Sequence, residues 1–278
     1  MINLFFDNRN EILKTIVDDY TVFTIKKSLD ENIFIDNFDF KSKVKIVLEE
    51  GVNVSILEKD SSNGNVEYVL KNDSYLNHNL LVLNQVNKSE RHILLEEGAS
   101  WIATCADLSM SSNSMKIQCD LLGKYSTGKF HLSALSKDDS KKVFDINFTH
   151  FAPNSESKME NYGVCRNSSS LSFVGTSYIK HGSKKSIANQ IAKIMVFDRK
   201  CFASASPILR IDENDVSASH GAAEGMINES HLFYLMSRGI NEEDAKRLIT
   251  LGYLNPILPH IFDEESKNLV EKAILERV

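Results

Sequence analysis

Between about residue 32 and residue 225 the chain contains no clear segment of helical period. It offers instead a succession of short runs, most about 4–6 residues long, that alternate or are β-branched, as strands are. Ile33, Ile35 and Phe38 begin the series, and the clearest later runs are 44–48, 52–57, 66–70, 80–83, 92–95, 101–105, 114–119, 129–132, 143–148, 170–174, 194–197 and 208–211. Gly, Asn, Asp and Ser, the turn residues, lie between them. Without helices to cover a parallel sheet, an α/β layer architecture is excluded. Two all-β architectures remain, a sandwich of two sheets and a solenoid.

A local self-similarity bears on that choice. Ile46, Val47, Leu48, Glu49, Glu50, Gly51 and Val52 return as Ile93, Leu94, Leu95, Glu96, Glu97, Gly98 and Ala99. Leu48 and Leu95 stand 47 positions apart. In a solenoid that distance is two coils of ~23 residues, within the usual repeat range. Each coil needs a sharp corner, and Gly is the residue that turns one at positive φ. The strand pattern by itself leaves sandwich and solenoid open.

Residues 10–30 carry a weaker pattern, with Ile12, Leu13, Ile16 and Val17 spaced as on a helix, so the segment 1–31 reads as a short N-terminal helical piece. From about residue 226 the periodicity is helical again. Asn228 is a good N-cap for a helix over 229–238, with Glu229 in its first turn and Gly239 as its stop. Leu232, Phe233, Leu235 and Met236 form its apolar face. Asn241 caps a second helix whose stop is Gly252, and Asp263 opens a third that runs towards Val278. A helical tail over 226–278 is too small to bury much alone, so it must pack on the β body over 32–225, on a partner, or on both. The link between them, from 211 to about 225, reads as turn-rich and places His220 beside Gly221.

Composition bounds the function. The net charge is −6, which argues against nucleic acid as the main partner. Cys105, Cys119, Cys165 and Cys201 are widely spaced and form no C-x-x-C pair, which excludes the zinc-ribbon and ferredoxin patterns. No apolar run is long enough to span a bilayer, and the N-terminus has no secretory pattern, so a cytoplasmic protein with reduced thiols is expected. No Walker A pattern or G-x-S-x-G elbow is present. The acidic pairs Glu49-Glu50 and Glu96-Glu97 raise a carbohydrate-binding protein or a polysaccharide lyase or hydrolase as an alternative function. Neighbouring acids on a strand face opposite ways, however, so solvated corners are the preferred reading of them.

The C-terminal half, roughly 149 to 254, resembles the SufB/SufD family, the scaffold subunits of the Suf iron–sulfur cluster assembly machine, and resembles the SufD side more closely. The blocks that carry the resemblance include Thr149 to Lys158, Gly163-Val164, Phe173-Val174-Gly175, Asn189-Gln190, Pro207 to Ile211, Ser219-His220-Gly221-Ala222 and Leu232 to Ile240. The resemblance implies a right-handed parallel β-helix, that is a β-solenoid, followed by a helical domain. It implies a non-enzymatic subunit that pairs through its β-helix with a SufB-like subunit or a second copy, and that docks a SufC-like ABC ATPase on the C-terminal helices. Glu229, Tyr234 and Arg238 are the candidate dock. His220 falls on the family's functional histidine, a candidate ligand for iron or a cluster at the subunit interface. Read from the residues alone, it is more readily a structural histidine that hydrogen-bonds the seam between β body and helices. Family patterns place a cysteine two residues before this histidine, where this chain has Ala218, and another near Ala192. The implied cofactor is therefore none tightly bound in the isolated chain, and a transient iron or iron–sulfur cluster in the complex. Cys165, Cys201, His150 and Lys158 read as structural or rim residues.

Overall fold

The computed structural model describes residues 2–5, 9–36, 43–61 and 65–277; Phe38 and Val278 lie outside them. The described part is mainly β, 53% strand, and forms a parallel β-solenoid of about seven turns followed by three helices. Two nine-stranded sheets face each other, and from residue 33 onwards successive strands alternate between them. Each strand therefore pairs not with its sequence neighbour but with the strand one coil earlier and one coil later. That arrangement decides between the two all-β alternatives in favour of the solenoid.

The register converts the sequence repeat into geometry. Leu48 pairs with Leu70, and Leu70 pairs with Leu95. The 47-residue spacing is thus two coils, with Leu70 as the unrecognised middle member. Coil length is not constant. Asn53 faces Tyr75, 22 residues on, Thr127 faces Glu156, 29 on, and Ser170 faces Phe202, 32 on. The solenoid widens along the chain.

At six successive coils one corner of the solenoid is turned by a residue of positive φ. Gly51, Asp73, Gly98, Tyr125, Asn154 and Lys185 occupy it, with φ between 56° and 69°. Their amides link the coils. Gly51 donates to the Asn72 carbonyl at 2.9 Å, Asp73 to Glu97 at 2.8 Å, Gly98 to Lys124 at 2.9 Å and Asn154 to Lys184 at 2.8 Å. The corner is a hydrogen-bonded stack running parallel to the sheets. The acidic pairs lie at this corner; Glu49 is held by Lys71 at 2.7 Å, and no two of these carboxylates form a site.

Side chains pointing into the solenoid form one continuous core that includes Ile46, Tyr68, Ile93, Trp101, Phe130, Phe148 and Phe173. Trp101 lies 5.9 Å from Phe130 and 6.1 Å from Phe148, ring to ring, so the aromatics pack from coil to coil. A second cluster lies outside the solenoid. Leu81, Ala106, Leu135 and Val164, on the outer face of one sheet, pack against Leu254, Ile257, Val270 and Ile274 of the tail. The burial pattern records the covering. Strand Ser170–Ile179 alternates buried and half-buried throughout, whereas strand Thr127–Ser136 is buried without a break from Phe130 onwards.

Three expectations require correction. Residues 12–25 are not helical. Ile12–Val17 and Tyr20–Ile25 are an antiparallel β-hairpin added to the edge of one sheet. The turn is made by Asp18 at φ 54°. Isoleucines and valines at i, i+4 and i+5 fit either period, and pairing with the next coil selects the strand. The stretch read as turn-rich contains a ten-residue strand, Ser217–Met226. Its small residues have little β propensity of their own, and its conformation comes from stacking on strand Ile187–Val196. Finally, Gly252 lies inside the second helix rather than ending it.

The helices are α1 (Glu229–Ser237), α2 (Glu242–Leu254) and α3 (Glu264–Arg277), with a 3₁₀ segment Asn255–His260 between the last two. The expected caps are in place. The Asn228 side chain accepts from the Ser230 amide and that of Asn241 from the Asp244 amide, each at 2.9 Å, and that of Asp263 from Ser266 at 2.8 Å. Gly239 takes φ 89° after α1. The second and third helices and the 3₁₀ segment bury apolar residues on the solenoid, but α1 buries none.

Candidate functional site

The last two strands of the solenoid, Phe202–Ile211 and Ser217–Met226, are the edges of their sheets, each paired on one side only. Both are ten residues long and largely exposed. The wide end of the solenoid is therefore an open rim whose backbone donors and acceptors face solvent. Long, unprotected edges are templates for pairing with another chain. Phe202, Ile208, Ile211 and Met226 add exposed apolar side chains to this end.

His220 lies on this rim. It pairs in register with Gln190, whose side chain is buried and donates to the Ser177 hydroxyl at 2.7 Å. Alternation along the strand places Ala218, His220, Ala222 and Glu224 on that same inward-facing side. Glu224 accepts from the Ala205 amide of the opposite sheet at 3.1 Å. His220 itself is exposed, because no further coil follows to cover it. Ala218 lies on the same face two residues before it. Ala192 is buried one coil earlier, in register with Ala222. The inward face of strand Ser217–Met226 thus offers one imidazole and one carboxylate, and no thiol.

Three of the four cysteines are closed off as a source of sulfur. Burial pushes the Cys105 and Cys119 thiols well above their usual range, and pushes Cys165 up to about 12. A protonated, enclosed thiol is neither nucleophile nor ligand at neutral pH. Cys201 is half-buried. His150 is enclosed at the end of its strand, hydrogen-bonded to Ser155 and Ser157 at 2.8 Å each. Lys158 lies on the outer surface, 3.0 Å from Glu160.

The three dock candidates, Glu229, Tyr234 and Arg238, are exposed on or just beyond α1, with the Arg238 guanidinium 5.4 Å from the Tyr234 ring centre. The apolar face expected for α1 divides. Leu232 and Leu235 are half-buried, while Phe233 is 73% and Met236 43% exposed. A nine-residue helix with an exposed Phe, Tyr and Met has no stabilising partner for that face among the described residues.

Sequence reasoning missed two clusters. Inside the solenoid, Glu58 receives Arg91 at 2.6 Å, His78 at 2.9 Å and the Tyr68 hydroxyl. Burial acts to raise the Glu58 pKa, but the Arg91 guanidinium and His78 outweigh it and hold the carboxyl well below its usual range. All four groups are enclosed, so this charge cluster is part of the core rather than a site a ligand could reach. On the outside, His131, Glu160 and His260 bring three donor atoms within 4.8 Å of one another. His131 and Glu160 are a cross-strand pair from adjacent coils, and His260 arrives from the 3₁₀ segment. Their numbers, 131, 160 and 260, have no motif spacing, so only the coil register could have joined them.

Among the described residues, no helix is long and apolar enough to cross a membrane. A family model described as "SUF system FeS cluster assembly, SufBD core domain" matches residues 35–253. The chain is 33% identical over 159 residues to the iron-sulfur cluster assembly protein SufD of Bacillus subtilis, covering 57% of this chain and 36% of that protein. It is 23% identical over 212 residues to SufB of the same organism, covering 74% and 46%. It is 21% identical over 251 residues to an iron-sulfur cluster assembly SufBD family protein of Staphylococcus epidermidis, covering 85% and 54%. The chain thus spans about a third to a half of the length of these relatives.

Proposed function

The chain belongs to the SufBD family of the SUF iron–sulfur cluster assembly system, and from that premise we propose that it is a SufD-like scaffold subunit. It pairs through its open rim with a SufB-like subunit or a second copy, and it docks a SufC-like ATPase through α1. The observation that carries this reading is the rim: two ten-residue unpaired edges with His220 facing over the open end. A partner solenoid added there satisfies the edge hydrogen bonds and covers the exposed apolar residues. It also turns His220 from a lone surface side chain into one ligand of a site completed across the interface. A neutral imidazole is a competent iron ligand. With no thiol on the strand that carries His220, sulfur is received on the partner. The chain contributes geometry and one nitrogen ligand and catalyses no step of its own. It works in the cytoplasm and keeps no resident cofactor.

The exposed face of α1 supports the ATPase dock, and so does its position beyond the rim, where a bound ATPase can sense or drive the pairing. Co-expression with a SufC-like ATPase and a SufB-like subunit tests both contacts. The wild-type chain is expected to co-purify with each. The double substitution Phe233→Asp with Tyr234→Asp should remove the ATPase and leave the SufB-like partner bound. It should leave the fold unchanged, since α1 buries nothing on the solenoid. Unaltered ATPase binding in that variant would overturn the dock. Failure of the wild-type chain to bind either protein would overturn the reading as a whole.

A further inference from the structure

The outer face of the solenoid, where the tail crosses it, carries a second arrangement of donors far from the rim in sequence. Thr104, His131 and Glu160 pair in register on three successive coils. The tail is pinned over them. The Thr104 hydroxyl donates to the His260 carbonyl at 3.1 Å, and the Ser133 hydroxyl donates to the Leu254 carbonyl at 3.0 Å. This fixes both ends of the 3₁₀ segment against the sheet. His260 is thereby held with its ring parallel to that of His131, centroids 3.9 Å apart and planes 9° from parallel. His131 Nδ1 lies 2.9 Å from Glu160 Oε2, and the second Glu160 oxygen is held by Lys158 at 3.0 Å. The His260 ring makes no hydrogen bond to any described residue. An imidazole is thus left unused beside a histidine–carboxylate pair, at the edge of a cavity of about 160 Å³ that Tyr162 and Pro256 help to line.

We propose that His131, Glu160 and His260 form a binding site for a divalent transition-metal ion of the Zn²⁺, Co²⁺ or Fe²⁺ class. Two imidazoles and one carboxylate are the donor set that these borderline ions take, with water completing the shell. Ligands 2.0–2.2 Å from an ion lie roughly 3–4 Å from one another. Donor atoms already within 4.8 Å need the His260 ring to turn out of its stack so that both imidazoles aim at one ion, and His260, exposed at the end of its segment, has the freedom to turn. The cavity leaves room for the remaining waters. Lys158 stays on the far oxygen of Glu160 and orients the carboxylate, as outer partners of metal ligands commonly do.

The consequence is mechanical. Two of the ligands belong to solenoid coils and the third to the tail, so a bound ion clips the helical tail to the β body. The site is independent of the rim and does not require the assembly role proposed above.

Titration of the isolated, tag-free chain with Co²⁺ tests it directly. One equivalent should give visible ligand-field absorption that Zn²⁺ abolishes by competition. Zn²⁺ should also raise the thermal unfolding midpoint. His260→Ala, a change at an exposed position, should weaken binding by at least ~10-fold, the scale on which even an outer partner's loss is felt. It should also cancel the thermal shift while leaving the metal-free midpoint close to wild type. Glu160→Gln should behave alike, and His220→Ala should bind Co²⁺ as the wild type does. Absence of Co²⁺ absorption in the wild type, or equal affinity in His260→Ala, would overturn the proposal.

Discussion

His150 shows how one buried side chain can give the molecule a pH dependence. It is fully buried and fixed between two serine hydroxyls. Burial lowers its pKa from 6.5 to about 4. In the unfolded chain the ring takes up a proton near pH 6.5, whereas in the folded chain it resists one until about 4. Between those values the unfolded state binds more protons, so stability is intact above pH 6.5 and falls as the pH drops towards 4. The limit of the effect is about 3 kcal/mol. Replacing His150 with Asn should flatten the fall, so that urea midpoints at pH 7 and pH 4.5 differ less than in the wild type. An unchanged difference would show that His150 does not govern the acid limb. Little of this was legible in the sequence. His150 reads from the sequence as a structural or rim residue, and nothing adjacent to it announces enclosure. His131 and Glu160 escaped notice for a related reason. They are 29 positions apart, and only the length of that coil makes them neighbours.

At the scale of the element, the stacked corner explains both what the repeat displayed and what it hid. Glycine marks the corner at residues 51 and 98, and that is why those two coils looked alike. The coil between them turns the same corner with Asp73, and a later one with Asn154. Short polar residues tolerate positive φ by bonding locally, so the stack accepts them where a plain Cβ is penalised. A Cβ on Gly51 would meet nothing within 4 Å, so a substitution there tests conformation alone. Gly51→Ala should cost ~1 kcal/mol, the usual penalty for the left-handed region, and Gly51→Asn distinctly less. Equal urea midpoints for the two variants would count against a left-handed requirement. The strand Ser217–Met226 is the complementary case. Its serines, alanines and glycines say nothing about strand, and the preceding coil dictates its form. The capped helices, by contrast, were readable because caps and stops act through one or two local hydrogen bonds.

At the scale of the whole molecule, the fold is a β body with two unequal exposed features, the rim and α1. The site proposed at the rim is incomplete within one chain, so its test belongs to the assembled pair. Anaerobic reconstitution with iron and sulfide, in the presence of a SufB-like partner, should give charge-transfer absorption that weakens in His220→Ala. An unaltered spectrum would return His220 to a structural role. Parallel stacking was foreseeable from the 47-residue recurrence together with the family resemblance. The openness of the final coil was not, because an edge is defined by what fails to follow it in space.

The gradual lengthening of the coils, from 22 residues between Asn53 and Tyr75 to 32 between Ser170 and Phe202, has a consequence for symmetry. A tapered stack has a direction. Joining the rim to a narrow coil would set long strands against short ones and leave most of the edge unpaired. Only another wide mouth fits, and two wide mouths meet face to face about a two-fold or pseudo-two-fold axis. Such a contact is isologous and uses up both surfaces that make it. In the pairing proposed above, the taper would limit growth to a closed pair and deny this edge the head-to-tail addition that builds a fibre.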